Sequence, residues 1–141
     1  MAEFTNAAVQ TVAPGNNVLF NETAVKGCHM ITHRDGSGLV GVKGYSDCYK
    51  TLYSALFNAN IAIPTGGTVG PISLALALNG EPLQASLATV TPAAVEEFFN
   101  VTIAAEIAAD CGCCLTVAVE NTTDDDILVQ NANLIVKKSK L

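Results

Sequence analysis

The stretch Ile72-Ser73-Leu74-Ala75-Leu76-Ala77-Leu78-Asn79-Gly80 decides the fold. Large apolar side chains alternate with small ones, which puts the large ones on one face of a β-strand and the small ones on the other. The strand then runs into Asn-Gly, the dipeptide that most readily takes positive φ at both central positions of a type I′ turn. A hairpin follows, with a return arm over residues 83–90. Pro82 has no N–H to give to a ladder and belongs at an edge or strand start.

Working outward, the same period of two recurs. In Phe57-Asn58-Ala59-Asn60-Ile61-Ala62-Ile63 the odd positions are apolar and the even ones small or polar. Val101, Ile103, Ala105 and Ile107 form another alternating face, as do Leu115, Val117 and Val119. After the turn-like Asn121-Thr122-Thr123-Asp124-Asp125-Asp126, the chain closes with apolar positions at 127–129 and then at Ala132, Leu134 and Val136. In the first third, strands are expected over 7–12, 17–20, 24–32 and 38–42, separated by Pro14-Gly15-Asn16-Asn17 and Asp35-Gly36-Ser37-Gly38. Only Thr91-Pro92-Ala93-Ala94-Val95-Glu96-Glu97 suggests a helical turn, with Thr as N-cap and Pro at the first position. Many short strands with regular turn signals and no long helix predict an all-β sandwich, and within that class a jelly roll. The 141 residues form one domain, without internal repeat or linker.

Half of the residues are hydrophobic and only 14% are charged, and the mean hydropathy is +0.37. That apolar surplus has to be covered. No uninterrupted apolar run reaches the roughly 18 residues of a membrane helix, so no membrane insertion is expected. The start, Met1-Ala2-Glu3-Phe4-Thr5-Asn6, is acidic and polar and does not read as a signal peptide. Burial between subunits remains, because obligate interfaces resemble a core cut in half. The net charge is −6, and the basic residues gather in Lys137-Lys138-Ser139-Lys140 and around Lys43 and Lys50. That is the wrong sign for a phosphate backbone, so nucleic acid is not an expected partner.

Three segments carry a resemblance: Asn60-Ile61-Ala62-Ile63-Pro64-Thr65-Gly66-Gly67-Thr68-Val69-Gly70-Pro71-Ile72-Ser73-Leu74-Ala75-Leu76, then Val90-Thr91-Pro92-Ala93-Ala94-Val95-Glu96-Glu97-Phe98-Phe99-Asn100-Val101, and Val129-Gln130-Asn131-Ala132-Asn133-Leu134-Ile135-Val136. They resemble small proteins of gut Firmicutes and their phages. Those in turn look like the trimeric heads of collagen-like spore-surface (exosporium) glycoproteins, with the jelly roll of complement C1q and tumour necrosis factor. The resemblance implies a compact homotrimer, packed by apolar side chains along a three-fold axis and displayed on a spore, cell or virion surface. It implies no chemistry. The stretch 45–56 departs from it, being less regular than that fold's central strand.

Of the five cysteines, Cys28, Cys48, Cys111, Cys113 and Cys114, at most two internal pairs could form. Alternation puts Cys111 and Cys113 on one face and Cys114 on the other. Buried thiols and disulfides within or between subunits are both open readings. A tetrahedral metal site would draw on Cys28, His29 and His33, but in a strand the two histidines would stand about 13 Å apart. Neither histidine sits in a recognised nucleophile motif, so no enzymatic activity and no cofactor are expected. Gly66-Gly67-Thr68-Val69-Gly70 lacks the Lys and the following helix of a phosphate loop and reads as a tight turn. Asp124, Asp125 and Asp126 offer oxygens to Ca²⁺, which takes about six to eight of them, although adjacent acids in a turn are commonly just solvated. The related trimeric heads can hold calcium at their apex. The sequons at Asn21, Asn100 and Asn121 would matter only in a secreted eukaryotic protein.

The sequence therefore reads as a non-enzymatic, homotrimeric structural subunit of a phage virion or of a bacterial or spore surface, its partners being itself and other virion or surface-layer proteins. Phe57, Ile61, Leu74, Leu76, Val101, Ile103, Leu115, Val117 and Leu134 are the expected core or trimer-interface residues. The alternative is a module that binds host glycan or protein through loops, with Tyr45, Tyr49 and Tyr53 as the concentrated aromatic source.

Overall fold

The computed structural model describes residues 1–44, 51–110 and 114–139. Among them the first strands are β1 (Ala2–Asn6), β2 (Gln10–Val12), β3 (Glu22–Val25), β4 (Ile31–His33) and β5 (Val40–Lys43). The long β6 (Thr51–Ala62) leads to β7 (Ile72–Leu78), β8 (Glu81–Pro82), a 3-10 turn η1 (Gln84–Ser86) and β9 (Ala88–Val90). The chain ends with β10 (Phe99–Ala109), β11 (Cys114–Asn121) and β12 (Ile127–Lys138). The first sheet has the order β10-β6-β12-β1-β3, with β2 also on β12; the second runs β4-β5-β11-β7-β8, with β9 also on β7. Every pairing is antiparallel. The two sheets face each other across one apolar core, which is the jelly-roll sandwich that the alternation predicts.

The core is where the alternating residues meet. Phe57, Ile61, Leu74, Leu76, Val101, Ile103, Val117 and Leu134 are each no more than 4% exposed, and Leu115 packs against them partly buried. Each such side chain contributes about 1.5–3 kcal/mol relative to exposure. These positions all belong to the core. The hairpin at Asn79-Gly80 forms as its sequence demands, with φ of 50° and 85° at the two central residues.

The structure departs from the periodicity where local chemistry overrides it. Strand β1 lies in 2–6, upstream of the strand expected over 7–12, because Ala2, Phe4 and Asn6 point inward while Glu3 and Thr5 point out. Residues 17–20 give only a bridge, Asn17 to Glu120. The return arm over 83–90 is broken: the Leu83 N–H reaches the Leu76 carbonyl, and the Ser86 hydroxyl then accepts from the Leu76 N–H, replacing a backbone partner. The stretch 91–97 is not helical, and Glu96, at φ 57°, gives its N–H to the Ile63 carbonyl. The irregularity read over 45–56 does not extend into 51–56, which is a regular part of β6.

Strand β12 is continuous where two pieces were expected. Its register on β6 shifts between Gln130 and Asn133, and Asn131 sits there at φ 55°. This bulge absorbs one residue, so Ile127 and Val129 before it and Ala132, Leu134 and Val136 after it all face the core.

Candidate functional site

The outward face of the first sheet carries side chains aligned in rows. On β6 the even residues point out, and the register lines them up with their neighbours. Ala104, Leu56, Ile135 and Glu3 form one row; Thr102, Asn58, Asn133 and Thr5 form the next; Asn100, Asn60 and Gln130 form a third. On the other side of the first row stand Glu106, Ser54 and Lys137. Up to Glu3 at its end, the first row is therefore an apolar stripe between polar ones, and Leu56 within it is 43% exposed.

The polar rows hold themselves in place. The Asn100 amide donates to Asn58 Oδ1 at 2.7 Å and to Asn60 Oδ1 at 3.1 Å. The Asn133 amide donates to Glu3 at 3.0 Å. Across the stripe, Ser54 donates to Glu106 at 2.9 Å, and Ser139 donates to the same carboxylate at 3.2 Å. Amides and hydroxyls are thus tied to each other and to the Glu3 and Glu106 carboxylates.

Beside this face, β10 ends the sheet, so among the described residues the outer edge of its eleven residues pairs with no further strand, although β9 and η1 lie close to it. An edge of that length is a template for another chain unless something covers it. Phe98, Phe99 and Leu87 near it are 37%, 38% and 42% exposed. A cleft of about 410 Å³ lies between η1 and β10, lined by Leu83, Ala85, Ala104 and Ala105 among others.

The remaining sequence candidates are scattered. Tyr53 is not in a ligand loop: it is an inward residue of β6, fully buried, with its hydroxyl donated to the Lys43 carbonyl. The strand's alternation, not the clustering of tyrosines, fixes where it points. Tyr45, Tyr49, Cys48, Cys111 and Cys113 lie outside the described residues. Cys28 and Cys114 are exposed, so neither is a buried thiol. A turn at 28–31, closed by the Ile31 N–H on the Cys28 carbonyl, replaces the straight strand assumed for the histidine spacing. As a result Cys28, His29 and His33 line one cleft of about 500 Å³. Among the described residues, however, no three His, Cys, Asp or Glu are placed to hold a metal ion. Asp124, Asp125 and Asp126 line a separate cleft of about 470 Å³ with Ser73, Thr122 and Thr123. Gly66, at φ 88°, makes the tight turn expected of its segment. Asn121 is buried, its amide donating to the Val12 and Asp125 carbonyls, so it is a structural residue. Burial, and then the nearby Glu81 carboxylate, push the Glu120 carboxyl up from its ordinary value. No helix among the described residues is long and apolar enough to cross a membrane.

No family model matches the chain, and no curated protein matches it. Solved structures do. Eiger TNF from S. frugiperda superposes with a TM-score of 0.66 at 14% identity, over 99% of this chain and 91% of that one. PRD1 vertex protein P5 superposes with a TM-score of 0.51 at 13% identity, over 99% and 96%. The fold is thus the TNF-like jelly roll. At these identities the likeness extends to the fold and no further.

Proposed function

We propose that this chain is a non-enzymatic structural subunit, a homotrimeric block that builds or decorates a phage virion or a bacterial or spore surface. One observation carries the reading: a single protomer exposes two unlike surfaces that need covering, the stripe around Leu56 and the open β10 edge with its flanking phenylalanines. Two unlike surfaces that fit each other make a heterologous contact, which closes into a ring when its rotation allows. The residues available for it are the outward ones, since the large alternating residues are spent on the core. The fold shared with a vertex protein supports the virion setting.

Light scattering on the purified protein, with and without reductant, tests this. The expected mass is about three times the 14.6 kDa protomer in both conditions. Leu56→Asp should bring the mass to that of the protomer while the far-UV circular dichroism stays unchanged. A native protein that is monomeric at every concentration would sink the proposal.

A second reading, a module that binds host glycan or protein, is favoured by the amide rows at Asn58, Asn60 and Asn100, whose groups suit sugar hydroxyls. The loss of Tyr53 from the aromatic supply counts against it. Glycan-array binding abolished by Asn60→Ala, with the assembly mass unchanged, would move the assignment to this reading.

A further inference from the structure

Strand β3 is the edge of the first sheet and β4 the edge of the second. One side chain ties these two edges together. His33, the last residue of β4, has its side chain only 1% exposed. Its Nδ1 lies 3.2 Å from the Thr23 hydroxyl on β3, and its Nε2 lies 2.9 Å from the Ser37 carbonyl. The ring packs on Phe4, centroids 4.6 Å apart, and edge-on to Phe20. The Thr23 hydroxyl also donates to Asp35 at 3.0 Å, and the Asp35 carboxylate stands 3.9 Å from Nδ1.

The protons in this arrangement can be counted. A carbonyl only accepts, so Nε2 carries a proton whatever the charge of the ring. The Thr23 hydroxyl has one proton, and a carboxylate also only accepts. While that proton goes to Asp35, Nδ1 must itself donate to the Thr23 oxygen, which requires the imidazolium. When the ring is neutral, the hydroxyl has to turn to Nδ1 and gives up Asp35.

We propose that His33, Thr23 and Asp35 form a proton-operated latch across the open flank of the sandwich. With the ring protonated, the relay runs from Nδ1–H to Thr23 and from Thr23 to Asp35, and it ends on a carboxylate beside the cation. Charge-assisted bonds are stronger than neutral ones, and the face of Phe4 is within cation–π range. Deprotonation removes the last link and the ion pair together. The sign is therefore fixed: the latch is closed while the ring is protonated and opens when the ring gives up its Nδ1 proton. Among the described residues, Lys26, Cys28 and His29 of the β3–β4 loop line the same cleft, and the uncharged Phe4 of β1 and Phe20 of the segment before β3 pack on the ring.

What the latch holds is the turn after β4. The Gly36 N–H binds the Phe20 carbonyl at 2.8 Å, and the Phe20 N–H binds the Ser37 carbonyl at 3.2 Å. The test is amide exchange at Phe20 and Gly36, expressed as protection factors so that the intrinsic effect of pH is removed. ¹⁵N shifts of the His33 ring are recorded alongside. Protection in the native chain should fall about fivefold between a low pH at which the ¹⁵N shifts report both ring nitrogens protonated and a higher pH at which they report a neutral ring. The ring should pass from both nitrogens protonated to the Nε2–H form. Asp35 is exposed, so Asp35→Asn will fold, and it should reduce the change to less than about twofold. Thr23→Val should abolish it, while Thr23→Ser should keep it. Equal protection at the two pH values, an unchanged response in Asp35→Asn, or a neutral ring protonated on Nδ1 would each overturn the latch.

Discussion

The two faces of β6 share one backbone and one periodicity, yet they are built from different chemistry. Inward, Tyr53, Ala55, Phe57, Ala59 and Ile61 are at most 2% exposed. Outward stand Leu52, Ser54, Asn58 and Asn60, half-buried, and Leu56, exposed. The inner face needs only apolar side chains of the right total volume, and many sequences would supply that. The outer face is a pattern: a short apolar stripe, Ala104, Leu56 and Ile135, with hydrogen-bonded amides on one side and Glu106, Ser54 and Lys137 on the other. Burial explains why the chain folds, whereas only the outward rows can say what the folded chain touches.

The largest effect that would test this division is in the core. Leu76 is fully buried in β7, so Leu76→Asp places a carboxylate without a partner in the core and should abolish cooperative folding. Far-UV circular dichroism through a urea titration will show no transition. Next comes a contrast between adjacent residues. Phe57→Ala should cost about 3–5 kcal/mol in urea unfolding, while Leu56→Ala, measured on the dilute protomer, should stay within about 0.5 kcal/mol. Similar costs at both positions would mean that the outer face is as structural as the inner one, and the division would fail.

Asn131 tests how β12 keeps its faces apart. Its left-handed backbone suits Asn and Gly and resists β-branched residues. Asn131→Val should therefore cost about 1–2 kcal/mol, and Asn131→Gly should be close to neutral. If Val is tolerated, the bulge is not what keeps Leu134 and Val136 in phase with Ile127.

These positions also mark how far the sequence could be read. The alternating strands and the Asn79-Gly80 hairpin were legible because period two and turn chemistry agree there. The bulge was not, because an extra residue looks like the end of one strand and the start of another. Strand β1 was hidden because its outward Glu3 and Thr5 look like a polar start, although Ala2, Phe4 and Asn6 are buried. The broken return arm depends on a Ser86 hydroxyl standing in for a backbone group, which no periodicity records. The outer rows were invisible for a related reason: Asn58, Asn100 and Asn133 are brought together by register between strands distant in sequence.

The smallest expected effect lies on the outer face of the second sheet, where Glu120 pairs opposite Ala75. Its carboxyl is raised above its ordinary value of 4.5 by burial first and by Glu81 second. A carboxyl whose folded-state affinity for a proton exceeds its unfolded one makes the native state bind more protons. Stability then rises as pH falls toward that range and declines as pH climbs through it. This residue therefore opposes the usual trend of carboxylates that are better ionised in the fold. Because it is partly exposed, solvent screens most of the effect. Glu120→Gln should raise the urea midpoint slightly at neutral pH and flatten its fall just above pH 4.5. A glutamine variant that keeps the native slope would assign that dependence elsewhere, and would leave the second sheet's outer face as indifferent to chemistry as the first sheet's is not.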